Sequence, residues 1–167
     1  MSRFVNRRRF LAVAGSAVAA PLWIPRHVLA SAGEPGANDR IGIGYIGVGR
    51  RGNQLMGLPA EGRIVAVADV DRQRREGVAA KRNCRAHADY REMLEAGDVD
   101  ACIIATPDHW HVIPAIHACQ AGKDVYLEKP LTLTIREGRV LVDAVRKHRR
   151  VLQTGSQRRS MRYHRLG

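Results

Sequence analysis

The chain has 167 residues, of which 28 are Lys or Arg and 16 are Asp or Glu, for a formal net charge of +12. That length holds one domain. The cysteines, Cys84, Cys102 and Cys119, are odd in number and too widely spaced for a zinc-binding CxxC pair, which argues against a disulfide framework and against a cysteine-based metal site.

The first segment in chain order is Asn6-Arg7-Arg8-Arg9-Phe10-Leu11, a basic start. It leads into an apolar run from Phe10 to Ile24 that is rich in Ala and Gly and interrupted by Pro21. Ala30-Ser31-Ala32 then supplies an A-x-A cleavage site. The run is too short for a bilayer and is broken by proline, so it reads as a secretory signal rather than a membrane span. The Arg7-Arg8 pair followed by Arg9-Phe10-Leu11 resembles the twin-arginine (Tat) export signal, with Asn6 where Ser or Thr is usual. The expectation is a signal peptide over residues 1–32, cleavage after Ala32, and passage through the Tat machinery to a periplasmic or other extracytoplasmic space. A Tat substrate folds before export in a reducing cytoplasm, consistent with the three cysteines being small core residues.

Removing that segment changes the charge argument. It holds five Arg and no acid, so residues 33–167 keep 23 basic against 16 acidic side chains, a net +7. Eight of the 23 lie beyond Val145, and residues 33–145 carry a net −1. A near-neutral body, in a chain only 5% aromatic, excludes nucleic acid as the expected partner.

The body opens on Ile41-Gly42-Ile43-Gly44-Tyr45-Ile46, a strand that runs into Gly47-Val48-Gly49-Arg50-Arg51-Gly52. This is a strand, a glycine turn and a helix start. Gly47 permits the tight turn, Gly49 lets backbone approach a pyrophosphate, and Gly52 lets the helix pack close to the strand. Amides at the helix start, around Arg50 and Arg51, then face the phosphates. Arg63 to Ala68 is a second buried strand ending at Asp69, 22 positions after Gly47. A carboxylate there accepts the ribose hydroxyls and repels a 2′-phosphate, so Asp69 favours NAD over NADP. Arg72, Arg74 and Arg75 nearby read as a solvated helix face.

Strands and helices keep alternating after Asp69. A polar helix spans about Gln73 to Arg82, and the spacing of Asp89 and Glu92 predicts a capping box opening a helix to about Ala96. Ala101 to Ala105 is the next strand, and a helix from about His111 to Ala121 stops at Gly122. Asp124 to Leu127 is a strand that turns at Pro130. Thr134 and Glu137 form a second capping-box pair, opening a helix whose apolar stripe is Val140, Leu141, Ala144 and Val145. Val151 to Thr154 closes the series. Five or six strands wound with helices on both sides predict an α/β fold, a Rossmann-type doubly wound parallel sheet over residues 33–159.

Two further segments narrow the reading, Thr106-Pro107-Asp108-His109-Trp110-His111 and Glu128-Lys129-Pro130. Behind the glycine fingerprint they resemble the glucose-fructose oxidoreductase, inositol dehydrogenase and MocA (Gfo/Idh/MocA) family, from Arg40 to about Arg159. The resemblance implies that Lys129 lies by the reacting carbon as the catalytic residue. It implies that Glu128, Thr106 and Pro107 lie near the nicotinamide half of an NAD cofactor, with His111 at the start of the next helix, contacting cofactor or substrate. Pro130 is a candidate for a cis peptide. Chemistry assigns Lys129 a compatible task, since oxidising an alcohol needs a group that takes or stabilises the hydroxyl proton. Only four lysines occur against 24 arginines, which singles Lys129 out further. His109 and His111 are two apart, on different sides of a helix, and no third ligand stands at a useful spacing; no metal is expected.

The same family places a substrate domain after this half, and Gly155-Ser156-Gln157-Arg158-Arg159 resembles the crossing into it. Residues 160–167 then read as only its start, so the expectation is a fragment without full activity. Three readings follow. The first is the NAD-binding domain of an exported oxidoreductase acting on CH–OH groups of a sugar or polyol. The second is an NAD-dependent glycosidase or epimerase-like enzyme that returns the hydride, and the third an NAD-binding module without catalysis.

Overall fold

Strand β1 (Ile41–Ile46) is buried except at its first residue, as a nearly continuous apolar run requires at the centre of a parallel sheet. The computed structural model describes residues 36, 40–57 and 62–157. The expected signal peptide at 1–32 and the segment 160–167 lie outside the described residues. After β1 come α1 (Arg50–Leu55), β2 (Gly62–Ala68), α2 (Arg72–Arg82), β3 (Arg85–His87), α3 (Tyr90–Leu94) and β4 (Ala101–Ile104). A 3-10 turn (Asp108–Trp110), α4 (Val112–Gln120), β5 (Asp124–Glu128), α5 (Ile135–His148) and β6 (Leu152–Gly155) complete the order.

The six strands form one sheet in the order β3-β2-β1-β4-β5-β6, and all five pairings are parallel. Strand order reverses between β1 and β4, so the loops after those two strands diverge to opposite faces and open a crevice at their carboxyl ends. Alternation along each strand feeds two cores. Cys102 and Ile104 of β4 join Met93, Ala115, Leu127 and Leu141 on one face. Ile103 joins Ile43, Tyr45, Leu55 and Val78 on the other. Tyr45 reaches through the second core to donate its hydroxyl to the Leu55 carbonyl at 2.9 Å, fixing α1 against β1. Burial pushes its phenol up to about 12.

Several local expectations change. Strand β3 was not legible, because it is three residues long, two of them polar, and none is buried; it forms by pairing Ala66 to Ala68 with Arg85 to His87. Asp89 caps α3 by accepting from the Arg91 amide at 2.9 Å, but Glu92 turns toward His87 at 3.8 Å instead of closing a box, and the helix ends at Leu94. The Thr134–Glu137 box does form in both directions.

Candidate functional site

The glycine turn folds as its sequence requires. Gly47 has φ +84°, and a Cβ there would lie 2.9 Å from the Ala105 backbone; only glycine takes that conformation in that space. A Cβ on Gly52 would sit 2.1 Å from the Gly47 carbonyl oxygen, so this position sets how closely α1 crosses the turn. At Gly49 a Cβ would meet only Arg74 Nη1, at 3.6 Å, so no neighbouring protein atom demands glycine there. Gly49 is also the N-cap of α1 and contributes no side-chain acceptor, so the first-turn amides have no cap of their own and suit an anionic group. Asn53, which sequence reasoning did not single out, ties the turn from below: its Nδ2 donates to the Val48 and Gly49 carbonyls at 2.6 and 3.0 Å.

Asp69 stands at the end of β2 beside this turn. Its Oδ2 accepts from the Val48 amide at 2.8 Å and its Oδ1 from the Asp71 amide at 2.9 Å. Each carboxylate oxygen keeps a further lone pair for a ligand hydroxyl. The neighbouring arginines are engaged locally, Arg72 with Glu76 at 2.8 Å, Arg74 with Asp71 at 3.3 Å, and Arg75 with the Val70 carbonyl at 3.2 Å.

Glu128 ends β5 and is 2% exposed. Its Oε1 takes a 2.6 Å ion pair from Arg51 Nη2 on α1, and its Oε2 accepts the Lys129 amide at 3.3 Å. The Glu128 carboxylate in turn holds the Arg51 guanidinium above its ordinary value. The Arg51 side chain is therefore engaged by Glu128, a partner 77 residues away, while its backbone amide stays in the first turn of α1. Arg50 remains exposed at the helix start. Lys129 follows Glu128, exposed, and its peptide bond to Pro130 is cis.

His111 also departs from expectation. It is 1% exposed, with Nδ1 2.6 Å from the Pro130 carbonyl and Nε2 2.9 Å from the Thr106 carbonyl. Both ring nitrogens are committed to protein carbonyls, so the ring is a strut between two loops rather than a ligand contact. A neutral imidazole donates to one of these carbonyls and a protonated one to both. Thr106 Oγ1, by contrast, is buried and has no hydrogen-bond partner in the structure, an orphan hydroxyl in the loop after β4 that a polar ligand in the crevice can satisfy.

The carboxyl edge thus gathers the glycine turn, Asp69, Thr106, Pro107 and Lys129 around one crevice. A glycine at position 49 that no neighbouring protein atom demands, uncapped helix amides, a carboxylate at the end of β2 and the orphan Thr106 hydroxyl fit a dinucleotide. Among the described residues no group of three or more His, Cys, Asp or Glu is placed to hold a metal.

Comparison with known proteins agrees. The model of the GFO_IDH_MocA oxidoreductase family, NAD-binding Rossmann fold, matches residues 41–156. Inositol 2-dehydrogenase 1 of Saccharopolyspora erythraea is 38% identical over 124 residues, covering 70% of this chain and 37% of that protein. An alpha-N-acetylgalactosaminidase of Shewanella oneidensis is 30% identical over 172 aligned positions, 86% of this chain and 37% of that enzyme. Among solved structures, the WlbA dehydrogenase of Chromobacterium violaceum, in complex with NADH and UDP-GlcNAcA, superposes with a TM-score of 0.73 at 26% identity, covering 79% of this chain and 39% of that one. The chain spans less than two fifths of the length of these curated relatives. It belongs to the Gfo/Idh/MocA oxidoreductase family and carries that family's NAD-binding Rossmann fold.

Proposed function

We propose that this chain is the cofactor-binding part of an exported, NAD-dependent oxidoreductase that acts on a CH–OH group of a sugar or polyol. The observation that supports it best is the 2.6 Å Arg51–Glu128 pair, which brings the Glu128-Lys129-Pro130 turn against the glycine turn at one crevice. Bound NAD supplies the hydride acceptor. The Gly47–Gly52 turn receives the pyrophosphate, Asp69 the adenosine ribose hydroxyls, and the Thr106 hydroxyl and Pro107 turn border the nicotinamide half. Lys129 Nζ holds or takes the substrate hydroxyl proton as the carbonyl forms. Substrate recognition belongs to the remaining length that the relatives possess.

A second reading rests on one comparison. The match to the alpha-N-acetylgalactosaminidase covers more of this chain than the match to the inositol dehydrogenase. In that case the hydride taken from a sugar carbon returns to it. Net NADH formation by the full-length protein on substrate addition excludes this alternative.

Residues 1–32 act in this reading as a Tat signal cleaved after Ala32, with the folded protein delivered to the periplasm. Because the protein folds before export, it carries its nucleotide with it. Denatured, desalted protein purified from the export compartment is expected to release nucleotide absorbing at 260 nm; protein without nucleotide counts against carriage. Titration with NADH and NADPH tests the site itself. NADH should bind at least tenfold more tightly, about 1.4 kcal/mol, and Asp69→Asn should narrow the gap. Equal affinities in the unmodified chain overturn the assignment of Asp69.

A further inference from the structure

Lys129 has no hydrogen-bond or ion-pair partner for its ammonium among the described residues, yet the residues on both sides of it are tied down. Its predecessor is held by charge, since the Glu128 carboxylate is buried against Arg51. Its successor is held by a carbonyl, since Pro130 accepts from or abuts the His111 ring at 2.6 Å. We propose that Arg51 and His111 are positioning residues for Lys129, acting through Glu128 and Pro130. The proposal rests on the reading of Lys129 as the group that handles the substrate proton.

The two braces come from different elements and join three loops. Arg51 sits in the first turn of α1, directly after the glycine turn, so it couples the pyrophosphate loop to the end of β5. His111 precedes α4 and holds the Thr106 carbonyl with its other nitrogen, coupling the loop after β4 to the turn after β5. Glu128 in turn offers its second oxygen to the Lys129 amide at 3.3 Å. The backbone of Lys129 is therefore fixed before, at and after the residue.

Strand β6 completes the housing. A Cβ on Gly155 would lie 2.7 Å from Glu128 Oε1 and 2.8 Å from the Tyr126 hydroxyl, so the carboxylate is packed against a wall with no room for a side chain. Burial, and then the Glu128 charge, push the Tyr126 phenol above its ordinary value. A carboxylate so enclosed depends on its one cation. Without Arg51 it is left buried with its ion-pair partner gone and must turn out toward solvent, which releases the Lys129 amide. Without His111 the Pro130 carbonyl loses its partner and the turn loses its tie to Thr106.

The chain's lysine content makes the test direct. With the four lysines, Lys81, Lys123, Lys129 and Lys147, carrying 13C-dimethyl labels, each gives one NMR signal; Lys129→Arg assigns the one of interest. In the unmodified 167-residue chain, the Lys129 signal should move on titration with NADH while those of Lys81 and Lys147 stay in place. In Arg51→Gln and His111→Ala the Lys129 signal should shift from its position in the unmodified chain, with Lys123 unchanged. The two braces also separate by affinity. Arg51→Gln should weaken NADH binding at least fivefold, and His111→Ala should change it less than threefold while still displacing Lys129. A merely structural role would move all four lysines or none. Arg51→Lys, which keeps the charge, should restore most of the Lys129 signal, and His111→Gln, which keeps one donor, serves if the alanine variant does not fold. Folded variants whose Lys129 signal coincides with that of the unmodified chain overturn the proposal. An unmodified Lys129 signal indifferent to NADH instead overturns the reading of Lys129, leaving the braces to be judged from the nucleotide-free spectra.

Discussion

Gly49 and Gly52 are two glycines of one motif with opposite consequences when changed. A methyl on Gly52 points at the Gly47 carbonyl oxygen from 2.1 Å, and that oxygen is backbone. Gly52→Ala can be relieved only by moving α1, so it should cost about 1–3 kcal/mol in denaturant unfolding and lower NADH affinity as well. A methyl on Gly49 meets nothing nearer than an Arg74 nitrogen at 3.6 Å. Gly49→Ala should unfold like the unmodified chain and lose NADH affinity about tenfold or more, because it fills the ligand's side of the turn. Equal loss of stability in the two variants would sink this division of roles. The glycine spacing is legible in sequence because the positive φ of Gly47 and the Gly52 contact with the Gly47 carbonyl are local, within six residues. The pairing of Arg51 with Glu128 spans 77 residues, and that of His111 with Pro130 spans 19. Nothing local marks either one. A motif can name His111 and Glu128 as important while leaving open what they touch.

Capping shows the same limit at the scale of elements. Thr134 and Asp89 are each followed three residues later by Glu, and the sequence treats them alike. Only at Thr134 does the glutamate reach back, with Glu137 Oε2 accepting from the Thr134 amide at 3.0 Å and from Leu133 at 2.8 Å. At α3 the rival partner is His87 on β3, a strand too short and polar to be read in advance. Thr134→Ala should therefore destabilise the chain by about 0.5–2 kcal/mol, whereas Glu92→Ala should stay within about 0.5 kcal/mol of neutral. Chemical denaturation of both variants decides the point, and a loss at Glu92 as large as that at Thr134 would mean that α3 is boxed in solution. The longer strands were readable for a different reason. Burial on both faces forces β1, β4 and residues 64–68 of β2 into apolar runs of four to six residues that alternation with helices then orders into a parallel sheet.

Across the whole molecule, the three cysteines report on whether the two cores and the crevice form one cooperative unit. Cys102 in β4 and Cys119 in α4 are fully buried, and Cys84 before β3 is half-buried. Burial pushes the Cys102 thiol up to about 12 and raises those of Cys119 and Cys84. Alkylation proceeds through the thiolate, so in the native chain at pH 8 Cys84 should react first. Cys102 and Cys119 should wait for global opening, because they lie in the core covered by α4 and α5. Nucleotide that binds only the folded state adds RT ln(1 + [L]/Kd), about 2.7 kcal/mol at one hundred times Kd. If the crevice and core open together, NADH at that concentration should slow alkylation of Cys102 and Cys119 about a hundredfold. Cys84, at the opposite end of the β2–β3 edge from the crevice, should be labelled at nearly its original rate. Mass spectrometry of timed samples reads all three sites at once. Equal protection of Cys84 would show that it too reacts only after global unfolding, and no protection of Cys102 would show that the sheet opens without releasing the nucleotide. The second result would separate the cofactor site from the fold that carries it, against a structure in which Gly47, Ala105 and Glu128 are continuations of the same three central strands.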